Sequence, residues 1–146
     1  MQSILETMPQ LAAYQTALLV LAALCLIVLL QSFLGAPLAF IKNEQVPGAP
    51  LQGDHALFSF RVLRTYANSV ESLPAFGFPV LLAVLVGVDA EMVNLLAVIH
   101  LVFRLAFWAV YYAGIGKPAG GPRTLCYVGG LLSNVVLIVM VILQLA

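Results

Sequence analysis

The chain has 146 residues, six basic against six acidic, and no net charge; 63% of it is hydrophobic and only 8% charged. A soluble domain carries about a quarter charged residues, so a wholly water-facing fold is excluded and lipid is the expected solvent. With no basic run or tail, nucleic acid is a poor candidate partner.

Four apolar runs follow in chain order, at 11–34, 56–86, 92–113 and 124–145. Each approaches or exceeds the roughly 20 residues a helix needs to cross a hydrocarbon core of about 30 Å. Barrel strands would be half as long and would alternate in polarity. The expectation is an all-α membrane protein, a single four-helix transmembrane domain over 1–146.

The first run has no charge, and no Lys or Arg precedes it, so it reads as a retained span and not a cleaved signal peptide. It holds Cys25; Cys126 lies in the fourth run, and no C-x-x-C pair occurs. Both cysteines read as small apolar side chains, and no metal site is expected.

The connection 35–55 contains the breakers Pro37, Pro47, Gly48, Pro50 and Gly53 with Lys42, Glu44 and Asp54, and reads as a long loop. The turn 87–91 is short and acidic; 114–122 is rich in Gly and Pro and carries Lys117. Lys42, Arg61, Arg64, Lys117 and Arg123 fall on the side of the first and third connections, against Glu6, Asp89 and Glu91 on the other. The bias of basic residues towards the cytoplasm predicts that both termini lie outside it.

The second run carries Arg61, Arg64, Asn68 and Glu71, which fall in one stripe at about 100° per residue. A charge at the depth of Glu71 costs about 2.5 kcal/mol or more unless paired. Pro74 and Pro79 are expected to kink this helix. The third run adds a second row, His100, Arg104, Trp108 and Tyr111. Arg104 needs an acidic partner, and Glu71 is the one carboxylate deep in a span, so an Arg104–Glu71 pair is expected to join the two helices. A packing network would need no positive excess, whereas spare guanidinium donors and Tyr hydroxyls suit an anionic, carboxylate-bearing ligand. His100 reads as a hydrogen-bonded core histidine.

Arg61-x-x-Arg64-x-x-x-Asn68-x-x-Glu71, continued by Ser72-Leu-Pro74-Ala-Phe76, resembles the second-helix signature of the MAPEG family, the membrane-associated proteins in eicosanoid and glutathione metabolism. Arg104-x-x-Phe107-x-x-x-Tyr111 and Pro122-Arg123-Thr-Leu-Cys-Tyr127 look like that family's third and fourth helix motifs, although Phe107 stands where many members have Tyr or His. The run Glu-Ser-Leu-Pro-Ala-Phe looks most like bacterial members, and the similarity to microsomal glutathione transferases extends over nearly the whole chain.

The resemblance implies a homotrimer in a bacterial inner membrane, with glutathione as co-substrate bound between subunits near the cytoplasmic face. It implies glutathione contacts at Arg64, Asn68, Glu71, Arg104, Tyr111 and Tyr127, with Arg61 and Ser72 as further carry-overs, and Arg123 holding the sulfur as thiolate. A thiolate is the nucleophilic form of a group with a pKa of about 8.5, and a guanidinium stabilises it without competing for the proton. The implied activity is conjugation of glutathione to hydrophobic electrophiles reaching the site from the lipid, with peroxidase activity on lipid hydroperoxides as a companion. The alternatives are a non-catalytic lipid- or partner-binding relative and, against the flanking arginines of Glu71, a small four-span transporter.

Overall fold

A computed structural model describes residues 8–41, 43–46, 48–117 and 120–146; Glu6, Lys42 and Pro47 lie outside these. Helix α1, Pro9–Ala12, is one turn. The long helices are α2, Gln15–Ile41; α3, Phe58–Val86; α4, Ala90–Tyr112; and α5, Pro122–Leu145. All four are long and apolar enough to cross a membrane, and no strand occurs among the described residues. The chain is a multi-pass integral membrane protein built as an all-α bundle. Lipid offers no partners for backbone N–H and C=O groups, so each span satisfies its own as a helix.

The expected boundaries hold within a few residues except after the first span. There α2 continues through Gly35 and Pro37 to Ile41, shortening the expected loop 35–55. Proline costs a helix the hydrogen bond to the carbonyl four residues back and some crowding; where few other partners exist for the backbone, continuing the helix wastes fewer groups than unwinding it. Helix α3 likewise runs unbroken through Pro74 and Pro79.

The outer faces are apolar and exposed, with Leu29, Phe33, Leu85 and Leu143 among the most exposed, as lipid-facing side chains must be. The interior is filled by Ala17, Val80, Ala83, Val93 and Ala97 beside Phe76, Leu137 and Val141. Small residues let helices approach closely. At Gly129 of α5 an added Cβ would run into the Phe103 ring of α4, so this contact between α4 and α5 requires glycine.

Candidate functional site

The first and third connections meet at one end of the bundle. Arg61, in the first turn of α3, ties them together: its Nη1 donates to the carbonyls of His55 (2.7 Å) and Ala56 (3.0 Å), and its Nε to that of Tyr112 (3.4 Å). Arg61 thus fixes the approach to α3 against the end of α4. Gly114, with φ 68°, leaves room for the guanidinium where a side chain would press on it.

Between α3, α4 and α5 at this end lies a cavity of about 320 Å³, lined by His55, Arg64, Asn68, Phe107, Tyr111, Arg123, Thr124 and Tyr127. Of the residues singled out in the sequence, Arg64, Asn68, Tyr111, Arg123 and Tyr127 therefore converge on one space. Glu71 is not part of the lining but pairs with Arg64, which is (Nη1 to Oε1, 3.5 Å), the one ion pair among the described residues. Ser72 lies off this cavity and bonds the Ser69 carbonyl at 3.1 Å.

The expected Arg104–Glu71 pair does not form. Arg104 is 3% exposed, and its Nη1 donates to Asn68 Oδ1 (2.8 Å) and its Nη2 to Ser69 Oγ (3.3 Å). The reason is rotational. At about 100° per residue, positions 64 and 71 lie within roughly 20° of each other, while 68 and 69 are turned by about 40° and 140° to one side of 64. Helix α4 packs on that side, so Arg104 meets the amide and the hydroxyl, and the Glu71 carboxylate is left to Arg64. Both members stay about half exposed, 46% and 60%.

The row on α4 is a buried face, as expected: His100, Arg104, Trp108 and Tyr111 are all buried. Trp108 Nε1 donates to Ser69 Oγ at 2.9 Å, and Ser69 donates onward to the Thr65 carbonyl at 2.9 Å. The Arg104 guanidinium lies against the rings of Phe107 (5.1 Å to the centroid) and Trp108 (5.8 Å). Phe107 thus separates a buried cation from the cavity. His100 is the hydrogen-bonded core histidine expected, with Nδ1 3.1 Å from the Gly130 carbonyl and its ring stacked on Phe76.

Sequence reasoning missed His55, Ser69 and Thr124. His55 is the most consequential. Its Nδ1 lies 2.9 Å from Tyr111 Oη and 3.4 Å from Arg123 Nη1. A guanidinium only donates, so Nδ1 is the acceptor and the ring proton sits on Nε2. Burial first, then the Arg123 guanidinium, pushes the imidazole below its ordinary value; Arg61 and Arg64 act in the same sense and Asp54 opposes them. His55 is therefore neutral at neutral pH. Nothing local marks it, because its partners lie 56 and 68 residues away.

Arg123 stacks over the Tyr111 ring at 4.8 Å. It follows Pro122, which opens α5 without a side-chain cap. Orphan amides of the first helical turn and the positive end of the helix therefore border the cavity beside the guanidinium. Beside the Phe107 ring the wall presents guanidinium, amide, imidazole and hydroxyl groups, and the nearby carboxylates are Glu71, held by Arg64, and Asp54, next to His55. Guanidinium groups and helix-start amides are the donors that pair with anions.

The family model described as the MAPEG family matches residues 12–143. The chain belongs to the MAPEG family. The match spans all four long helices of this MAPEG member and every residue lining the cavity. No curated protein matches the chain.

Proposed function

We propose that this MAPEG member is a membrane glutathione transferase, which binds glutathione in the cavity between α3, α4 and α5 and conjugates its thiolate to hydrophobic electrophiles. The observation that carries the reading is the cavity's excess of positive charge: Arg64 and Arg123 line it, Arg104 lies behind Phe107 and Arg61 adjoins His55, against Glu71 and Asp54. Glutathione has more carboxylates than ammonium groups and complements such a wall. At about 320 Å³ the space is at the lower end of the roughly 300–1,000 Å³ of ligand pockets, enough for a tripeptide held partly open.

In this reading Arg64 takes a carboxylate, Glu71 the amino group of the γ-glutamyl end, and Asn68, Tyr111 and Tyr127 supply hydrogen bonds. Arg61 and Ser72 act one step back, Arg61 by holding the His55 carbonyl and Ser72 by its bond to Ser69. Arg104 supplies field and the orientation of Asn68. Arg123, beside the free amides of α5, holds the sulfur as thiolate, and the lipid around the bundle delivers the apolar co-substrate. Lipid hydroperoxides belong to the same class of electrophile, so peroxide reduction is a companion activity.

The half-exposed Arg64–Glu71 pair favours assembly. A charged pair facing hydrocarbon is costly, and a second copy of the chain over this face removes the cost; the homotrimer is the assembly we propose. The gathering of Arg61, Arg64, Lys117 and Arg123 at the site end supports a cytoplasmic site with both termini outside, and a bacterial inner membrane is the setting we propose.

The test is turnover of glutathione with 1-chloro-2,4-dinitrobenzene by the detergent-solubilised chain. Wild type conjugates above background, and Arg123→Ala lowers kcat by about 10²-fold, the order of one lost anion-stabilising donor, while glutathione affinity changes far less. Glutathione binding without turnover in the wild type would leave a binding protein in place of an enzyme.

A further inference from the structure

We propose that His55 is the base that takes the thiol proton of bound glutathione at Nδ1 and releases a proton from Nε2 into a second, smaller cavity; this rests on the glutathione reading above. His55 carries no charged motif around it and belongs to the loop ahead of α3, yet the fold brings it against the group expected to hold the sulfur.

Its Nδ1 lone pair is shared by two donors, Tyr111 Oη at 2.9 Å and Arg123 Nη1 at 3.4 Å. One lone pair cannot serve both well, and the longer contact is the one that a thiol held by Arg123 would replace. A sulfur within hydrogen-bond reach of Arg123 Nη1 is then also beside Nδ1, which meets the geometric condition for a general base. Tyr111 and the edge-on Phe60 ring, 5.2 Å from the imidazole centroid, keep the ring in place.

The second cavity also touches the imidazole and offers a route out. His55, Tyr111 and Arg123 form a partition shared by the main cavity and a second one of about 60 Å³, bounded by Arg61, Gly114, Ile115 and Gly116. That volume holds one or two waters at about 30 Å³ each. An imidazole protonated at Nδ1 can lose its other proton from Nε2, the two ring nitrogens acting in relay.

The balance is simple. The S–H bond breaks and its electron pair stays on sulfur, beside Arg123. The proton forms an N–H bond with the Nδ1 lone pair, and a proton leaves Nε2 to water. The sulfur then forms a C–S bond with the electrophile as the leaving group departs with its own pair. The groups facing His55 are Asp54 on its own loop, Arg61 and Arg64 from α3, Tyr111 from α4 and Arg123 from α5. Burial first, and then their excess of positive charge, keep the Nδ1 lone pair free at neutral pH and hasten release of the proton once taken.

The experiment uses the full chain in detergent. Glutathione affinity is measured by calorimetry, and thiolate formation by rapid-mixing absorbance, for wild type and His55→Asn. Asparagine places an oxygen where Nδ1 was, so it accepts from Tyr111 and Arg123 but takes no proton. The expected result is affinity within about threefold of wild type and thiolate formation slower by about 10²-fold, the usual order for a lost general base. Added imidazole restores part of the rate in His55→Ala. An unchanged rate in His55→Asn, or a loss confined to affinity, overturns the assignment and leaves the transferase reading standing. Wild type that binds no glutathione overturns both. If neither variant folds, the wild-type pH profile decides: the rate of thiolate formation should fall only as the pH drops below the ordinary histidine value of about 6.5 towards the lowered value of His55, and a rate that stays level throughout that acid range overturns the assignment.

Discussion

The two ends of the bundle treat their polar groups in opposite ways. At the end that carries the turn between α3 and α4, Tyr14, Asn94 and Asp89 bond to backbone. Tyr14 donates to the Val88 carbonyl; Asn94 accepts from the Ala17 amide (2.9 Å) and donates to the Ala13 carbonyl (2.7 Å); Asp89 caps α4 at the Met92 amide (2.9 Å). Gly87, at φ 74°, closes α3 in the left-handed conformation that suits glycine. No cavity is needed there, and the polar groups clamp α2 to α4. At the other end, Arg64 and Arg123 line an open space, and Arg104 is buried on neutral partners. Saturated hydrogen bonding marks the end that holds the helices together. Excess positive charge marks the end where glutathione is proposed to bind.

The comparison breaks most sharply at Arg64. Arg64→Ala removes a cavity cation and frees Glu71, so glutathione affinity falls by about 10- to 100-fold, the loss of one hydrogen bond to a charged group, with little change in ligand-free melting. Calorimetry checks the first part and thermal unfolding in detergent the second; a collapse in stability with affinity intact would make the site end a structural clamp as well.

Asn94→Ala is the mirror experiment. It removes two bonds and strands the Ala13 carbonyl and Ala17 amide, costing about 2 kcal/mol of stability, while kcat per folded molecule stays at the wild-type value. The melting temperature and the rate, measured on the same preparation, decide it.

The smallest effect is that of pH. Unfolded histidine takes a proton near 6.5, whereas folded His55 resists it. Below that pH the unfolded chain binds more protons, so the contribution of neutral His55 is complete above about 6.5 and is lost as pH falls through that value towards its lowered folded one. The melting temperature should decline on acidification from about pH 7 to pH 5, and His55→Asn should flatten the slope. A wild-type slope that survives in that variant would assign it to another group.

The same contrast separates what local sequence could reveal from what it could not. The spans were legible because the hydrocarbon thickness fixes a helix length and admits few charges: α4 and α5 lie where their apolar runs do. The α4 row His100, Arg104, Trp108 and Tyr111 was legible from helical periodicity alone, and all four are buried. The extension of α2 through Pro37 was not, since Gly35 and Pro37 read as breakers although the apolar sequence continues to Ile41.

Partner choice lay beyond the sequence. Periodicity gives a stripe on α3 but not the angle at which α4 meets it, and a rotation of that order decides whether Arg104 finds Glu71 or finds Asn68 and Ser69. His55 was silent for a related reason: its contacts with Tyr111 and Arg123 exist only once Arg61 has drawn its carbonyl to the helix ends. The sequence by itself determined that this chain crosses a membrane four times and buries more positive than negative charge, because lipid as solvent constrains length and polarity residue by residue. Which charges pair, and which stay free to meet an anion, only the tertiary structure decided, because that depends on helix rotation and on a loop folding back across the bundle.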